Sequence, residues 1–135
     1  MAKPLSGQGI RFCWRSNTLD KKSKASPSFV IANDEPVEDL GGGIKRQFLA
    51  YDENLMAVKV WFDEGAEGYQ HQHPHTQVSY VESGEFLAAI DGKQQTLKAG
   101  DSFYVAPNLM HGAVCVKAGV LIDIFTPHRE DFLEV

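Results

Sequence analysis

Three histidines fall on alternate residues, His71, His73 and His75. Gln77 follows at the same spacing, and His111 comes later in the chain. In an extended backbone alternate side chains share a face, so the four residues from His71 to Gln77 can project together. Imidazole nitrogens at this density are metal ligands, and an HxH pair with a downstream partner reads as a metal signature rather than as surface histidines on a loop. Pro74 complicates the geometry. It has no N–H to give to a sheet ladder, so the run lies at an edge or changes phase near residue 74, and the spacing alone leaves open which of the set converge.

Such residues need strands to hold them, and from Phe29 onward the chain is a series of short β-like runs divided by turn residues. Residues 55–62 alternate, with Met56, Val58, Val60 and Phe62 on one face and Ala57, Lys59 and Trp61 on the other, which predicts a strand with one buried side. Similar runs occupy 76–82, 85–91, 102–106, 112–117 and 119–126. Ser83-Gly84, Asp91-Gly92, Gly100-Asp101, Pro107-Asn108 and Ala118-Gly119 punctuate them. Asp91-Gly92 is the strongest hairpin signal, because a type I′ turn needs positive φ at both central positions. Helical periodicity is almost absent, and only Arg129 to Leu133 suggest a helical turn. The expectation is one all-β domain over 29–135, a sandwich or barrel.

A chain of 135 residues suits a single core. Its net charge of −5 is unevenly spread: residues 1–28 carry six bases and one acid, +5, which leaves −10 for the remainder. An acidic body repels phosphate backbones, so no nucleic-acid partner is expected, and 1–28 reads as a solvated basic extension. No apolar run approaches the ~20 residues of a membrane span or forms a secretory signal, so no membrane partner is expected. Cys13 and Cys115 lack CxxC spacing and are too few for a disulfide framework. Cys115, in mid-strand, reads as a small buried hydrophobe. These features predict a cytoplasmic protein.

Gly65, His71, His73, Gln77 and Gly84 fall at the positions of the first cupin motif, with Gln77 where that family usually has Glu. Gly100 and His111 fall at those of the second, with Ala106 for its Pro, Asn108 for its Gly and Cys115 for its Asn. Asn tolerates the left-handed conformation almost as Gly does, so Asn108 is a mild departure. The chain resembles the cupin superfamily over roughly residues 40–126. The resemblance implies an antiparallel double-stranded β-helix, or jelly-roll barrel, with a metal in its mouth held by His71, His73, Gln77 and His111, and His75 outside the set. HPHTQVSYVESGE, GDSFYVAPNLMHGAVC and the closing Asp123, Phe125 and Arg129 resemble the pectin-degradation cupins of the KdgF type, which linearise unsaturated uronate monosaccharides.

An N3O set of three imidazoles and an amide oxygen suits a divalent transition metal (Ni, Fe, Mn, Co or Zn). A neutral Gln77 leaves the ion its full charge, which favours a small anionic sugar as substrate. On residues 119–126, Leu121, Asp123 and Phe125 share one face and Val120, Ile122 and Ile124 the other. The mixed face would look into the cup, with Asp123 as general acid/base, unless it only pairs with Arg129 to tie down the C-terminus. Arg129 would clamp a carboxylate, unless it only bridges Glu130 or Asp131. Phe125, Tyr80 and Arg46, with Gln47 beside it, are candidate substrate contacts. The apolar face predicts a homodimer. The expected function is metal-dependent conversion of 4,5-unsaturated uronates to linear keto forms. The alternatives are an Fe(II) dioxygenase and a non-catalytic sugar binder.

Overall fold

The computed structural model describes residues 23–133. Eight antiparallel strands follow in chain order: β1 (Glu38–Gly41), β2 (Ile44–Tyr51), β3 (Met56–Phe62), β4 (Glu67–His71), β5 (Thr76–Ile90), β6 (Lys93–Lys98), β7 (Ser102–Val105) and β8 (His111–Thr126). Short 3-10 turns at Ala32–Asp34 and Glu130–Leu133 flank them, the second where the sequence suggested a helical turn. Among the described residues no helix is long and apolar enough to cross a membrane.

The eight strands form one hydrogen-bonded sheet that folds over on itself, because β5 and β8 run through both halves. In one half the order is β1-β2-β3-β8-β5-β7, using the end of β8 and the start of β5. In the other it is β4-β8-β5-β6, using the opposite ends of the same two strands. This is the jelly-roll expected. Phe62 on β3 meets Phe86 on β5 edge to face, centroids 5.1 Å apart, across the interior. Burying each such ring contributes roughly 1.5–3 kcal/mol. The alternation of 55–62 is borne out, with Met56, Val58, Val60 and Phe62 all buried.

The residues between the halves correct one expectation. Ser83-Gly84 and Ala118-Gly119 are not turns but facing irregularities inside two continuous strands, with Ser83 opposite Val120 and Glu85 opposite Lys117. Here the strands cross in backbone contact. A Cβ on Gly84 would stand 2.6 Å from the carbonyl oxygens of Lys117 and Ala118, and one on Gly119 would collide with Ser83 O, so only glycine fits on either side. The extra residue also shifts the phase of β5, from Gln77, Ser79 and Val81 inward before the crossing to Phe86 and Ala88 inward after it. Asp91-Gly92 does reverse the chain, with φ of +51° and +82°, and joins Ile90 to Lys93.

Of the basic extension expected over 1–28, only 23–28 lie among the described residues. They are tied to the barrel: Tyr51 Oη donates to Ser23 O at 2.7 Å, and Ser26 N donates to Tyr51 O at 2.9 Å. The remainder of that stretch, Cys13 included, lies outside the described residues.

Candidate metal centre

The phase break foreseen at Pro74 is present, and it sorts the histidines. His71 ends β4 directly opposite His111, the first residue of β8. The chain then leaves the sheet for residues 72–75 and re-enters at Thr76. His73 lies in that connection and is held from outside, since Asn108 N donates to His73 O at 2.7 Å from a left-handed residue with φ of +68°. His75 turns away, its Nε2 donating to His128 O at 3.1 Å. His71, His73 and His111 each bring a ring nitrogen within 4.8 Å of the others. His73, His111 and Gln77 are buried, and His71 is open to solvent.

Proton bookkeeping shows what this cluster can hold. His71 Nδ1 donates to Tyr69 O at 2.8 Å and His111 Nδ1 to Leu109 O at 2.9 Å, so in each neutral ring Nε2 carries a bare lone pair. His111 Nε2 nevertheless lies 3.1 Å from Gln77 Oε1, another acceptor, and His73 Nε2 lies 2.9 Å from the same oxygen. Burial pushes the His73 pKa down to about 4, with the charges of Arg129 and the neighbouring imidazoles adding to the effect. Burial also lowers His111. The His73 and His111 rings are therefore neutral at pH 7. His111 Nε2 and Gln77 Oε1 face one another as two acceptors, and the buried Nδ1 of His73 has no partner that would fix the proton of that ring. Such an arrangement suits a cation among the three side chains, so the residues present fit a divalent transition metal.

The cluster opens into a cup of about 200 Å³ between the two halves of the sheet. Its floor is apolar, from Val58, Val60, Phe62 and Leu121, and Asp123, Arg46 and Arg129 reach it from the sides. The Asp123 carboxyl accepts from Ser79 Oγ at 2.6 Å. Burial raises its pKa to about 6, against the opposing effects of that hydrogen bond and of Arg129. Arg129 donates to both Asp131 oxygens at 3.1 and 2.9 Å and lies over the Phe132 ring at 4.2 Å. Arg46 covers the same ring at 4.4 Å while donating to Glu38 at 2.8 Å. Although burial opposes it, the Arg129 hydrogen bond and charge hold Asp131 below the ordinary carboxylate range.

The Cupin domain family matches residues 58–125, half of the chain. The chain belongs to the cupin family. The pectin degradation protein KdgF of Dickeya dadantii (strain 3937) is 44% identical over 107 residues, spanning 78% of this cupin and 97% of that protein. An RmlC-like cupin from Shewanella frigidimarina NCIMB 400 superposes with a TM-score of 0.80 at 55% identity, over 82% of this chain and 99% of that one. KdgF from Halomonas sp. does so with 0.76 at 40% identity, over 80% and 100%.

In this cupin, His71, His73, Gln77 and His111 come together, and Asp123, Phe125, Arg129 and Arg46 line the same cup. Two candidates are not brought there. Tyr80 projects from the outer face, 44% exposed, because it differs from the inward Gln77 and Ser79 by an odd number of residues. Gln47 is buried on the far side of β2 from Arg46, where its amide donates to Ala32 O and Glu35 O at 2.9 and 3.1 Å. Asp123 bonds to Ser79, and the partner of Arg129 is Asp131, so the pairing of Asp123 with Arg129 as a C-terminal tie is not formed. The sequence reading missed Ser79 and Phe132. Same-face spacing from Gln77 was a signal for Ser79. Nothing local signalled Phe132.

Proposed function

We propose that this cupin is a metal-dependent enzyme of pectin breakdown that converts 4,5-unsaturated uronate monosaccharides to their linear keto forms. The observation that carries the reading is the meeting, in one small cup, of a His3Gln set, two arginines and a carboxyl with a pKa near 6. The KdgF relatives give the pathway its name. The cup is smaller than the roughly 300–1,000 Å³ of drug-sized ligand pockets, which suits a monosaccharide rather than a polymer.

His71, His73, His111 and Gln77 hold the metal, which when bound polarises a substrate oxygen as a Lewis acid. Because Gln77 is neutral, this ligand set leaves the site cationic and receptive to the uronate carboxylate. Arg129 spends two of its five N–H donors on Asp131 and keeps the others for that carboxylate. Arg46 adds a second positive charge at the wall. Phe125 offers its ring to the apolar face of the sugar. Linearisation breaks the bond between C1 and the ring oxygen. The anomeric hydroxyl loses a proton as the aldehyde forms, and C4 gains one as the C4=C5 enol becomes a ketone, so no atoms are gained or lost. Asp123, with a pKa close to ambient pH, accepts the first proton and returns one to carbon. The outer face carrying Val78, Tyr80, Tyr104, Ile122 and Ile124 supports a homodimer.

The test follows the ultraviolet absorbance of unsaturated galacturonate, where the ring double bond absorbs. Loss of absorbance above the spontaneous rate is expected, abolished by chelation and by His111→Ala, and slowed about 10²-fold or more by Asp123→Asn. A metal-loaded protein inactive on both galacturonate- and mannuronate-derived substrates would sink the proposal, as would Asp123→Asn and Arg129→Ala variants working at the normal rate.

A further inference from the structure

Gln77 is an amide where a carboxylate would offer an oxygen whichever way it turned. Its Oε1 and Nε2 are nearly equal in shape, and a half-turn of the terminal group would present N–H groups to the imidazoles and to any cation among them. Something must set the amide. Ser79 is fully buried between Gln77 and Asp123, its Oγ 2.9 Å from Gln77 Nε2 and 2.6 Å from Asp123 Oδ1. A hydroxyl has one proton, and an ionised carboxylate can only accept. The Ser79 proton therefore goes to Asp123, its lone pairs face Gln77, and only the Nε2 end of the amide can meet them. Oε1 is then left facing His73 and His111.

We infer that Ser79 is a positioning residue that relays the polarity of Asp123 to Gln77 and so fixes the amide oxygen as a metal ligand. The inference rests on the metal reading of the His3Gln cluster but not on the uronate reaction. One serine can reach both groups because Ser79 lies directly opposite Asp123 in the β5–β8 register and two residues from Gln77 on the same face.

The test is a double-mutant cycle on metal affinity, read by calorimetric titration of Ni2+ into the chelator-stripped full chain, with thermal unfolding as the check on folding. Ser79→Ala is expected to weaken Ni2+ binding about 10–100-fold, the usual cost of losing a partner that orients a ligand. In a Gln77→Glu background the ligand no longer needs orienting, and the same Ser79→Ala change is expected to cost less than about threefold. An equal penalty in both backgrounds, or none in the first, overturns the relay. Ser79→Thr keeps the hydroxyl and stands in should the alanine variant fail to fold: near-native affinity is expected, and a loss above about tenfold counts against the proposal. Because the readout is metal affinity, a protein that turns over no uronate yet passes the cycle keeps the relay and loses the function. A wild-type chain that binds no Ni2+ loses the relay.

Discussion

Replacing Asp123 by asparagine should stabilise the metal-free protein at neutral pH while it slows turnover about 10²-fold or more. Burial raises this carboxyl from 3.8 to about 6, roughly 2.2 pH units, and at 1.36 kcal/mol per unit ionisation in the folded state costs up to about 3 kcal/mol. Between pH 3.8 and 6 the unfolded chain is ionised while the folded one keeps its proton. Stability attributable to this group therefore falls as pH rises through that window, and the whole cost is present above it. Asparagine has a similar shape and no such cost. His73 acts in the opposite sense: its lowered pKa makes the folded state lose stability as pH falls from 6.5 through 4. That contribution is common to both proteins and cancels in their difference. Urea unfolding followed by tryptophan fluorescence, on chelator-treated protein from pH 3 to 8, is the assay. The Asn-minus-Asp difference should be flat below pH 3.8, rise to a maximum of about 3 kcal/mol above pH 6, and appear at pH 7 as a midpoint shift of roughly 1–2 M. A flat difference, or one that falls with pH, would refute the reasoning by showing that Arg129 and Ser79 outweigh burial.

Gly119→Ala should cost about 3 kcal/mol or more and lower Tm by roughly 10 °C, since its Cβ has no space beside Ser83 O and Gly84 Cα; an unchanged Tm would mean that the strands part easily at the crossing. Gln77→Glu, by adding a negative charge beside the metal, should raise metal affinity and raise KM for an anionic uronate about tenfold or more, and steady-state kinetics showing an unaltered KM would contradict the charge argument. Tyr80→Ser should leave KM untouched, while Val78→Glu combined with Tyr80→Glu should shift sedimentation from dimer to monomer. A wild-type protein that sediments as a monomer removes the homodimer.

Much of the barrel was legible because its signals are local. The alternation of Met56 to Phe62 and the Asp91-Gly92 turn each follow from backbone geometry that a few residues determine. Ser83-Gly84 and Ala118-Gly119 have the same turn chemistry yet do not reverse the chain. Glycine at those positions answers to a strand approaching from elsewhere, which no dipeptide encodes. Tyr80 was misplaced although its parity with Gln77 already put it outside.

Residue types and short spacings by themselves determined the presence of a histidine set able to hold a metal, the strand content and the inward face of Asp123 and Phe125, since these depend on side-chain chemistry and a period of two. Tertiary structure decided which histidines converge, because Pro74 breaks the phase and Asn108 must reach across to hold His73. It also decided that Arg46 and Arg129 share one phenylalanine ring, and that a serine joins the Gln77 amide to the Asp123 carboxyl. Contacts between residues far apart in the chain are set by how the two long strands cross, and that crossing exists only once the sheet has closed on itself.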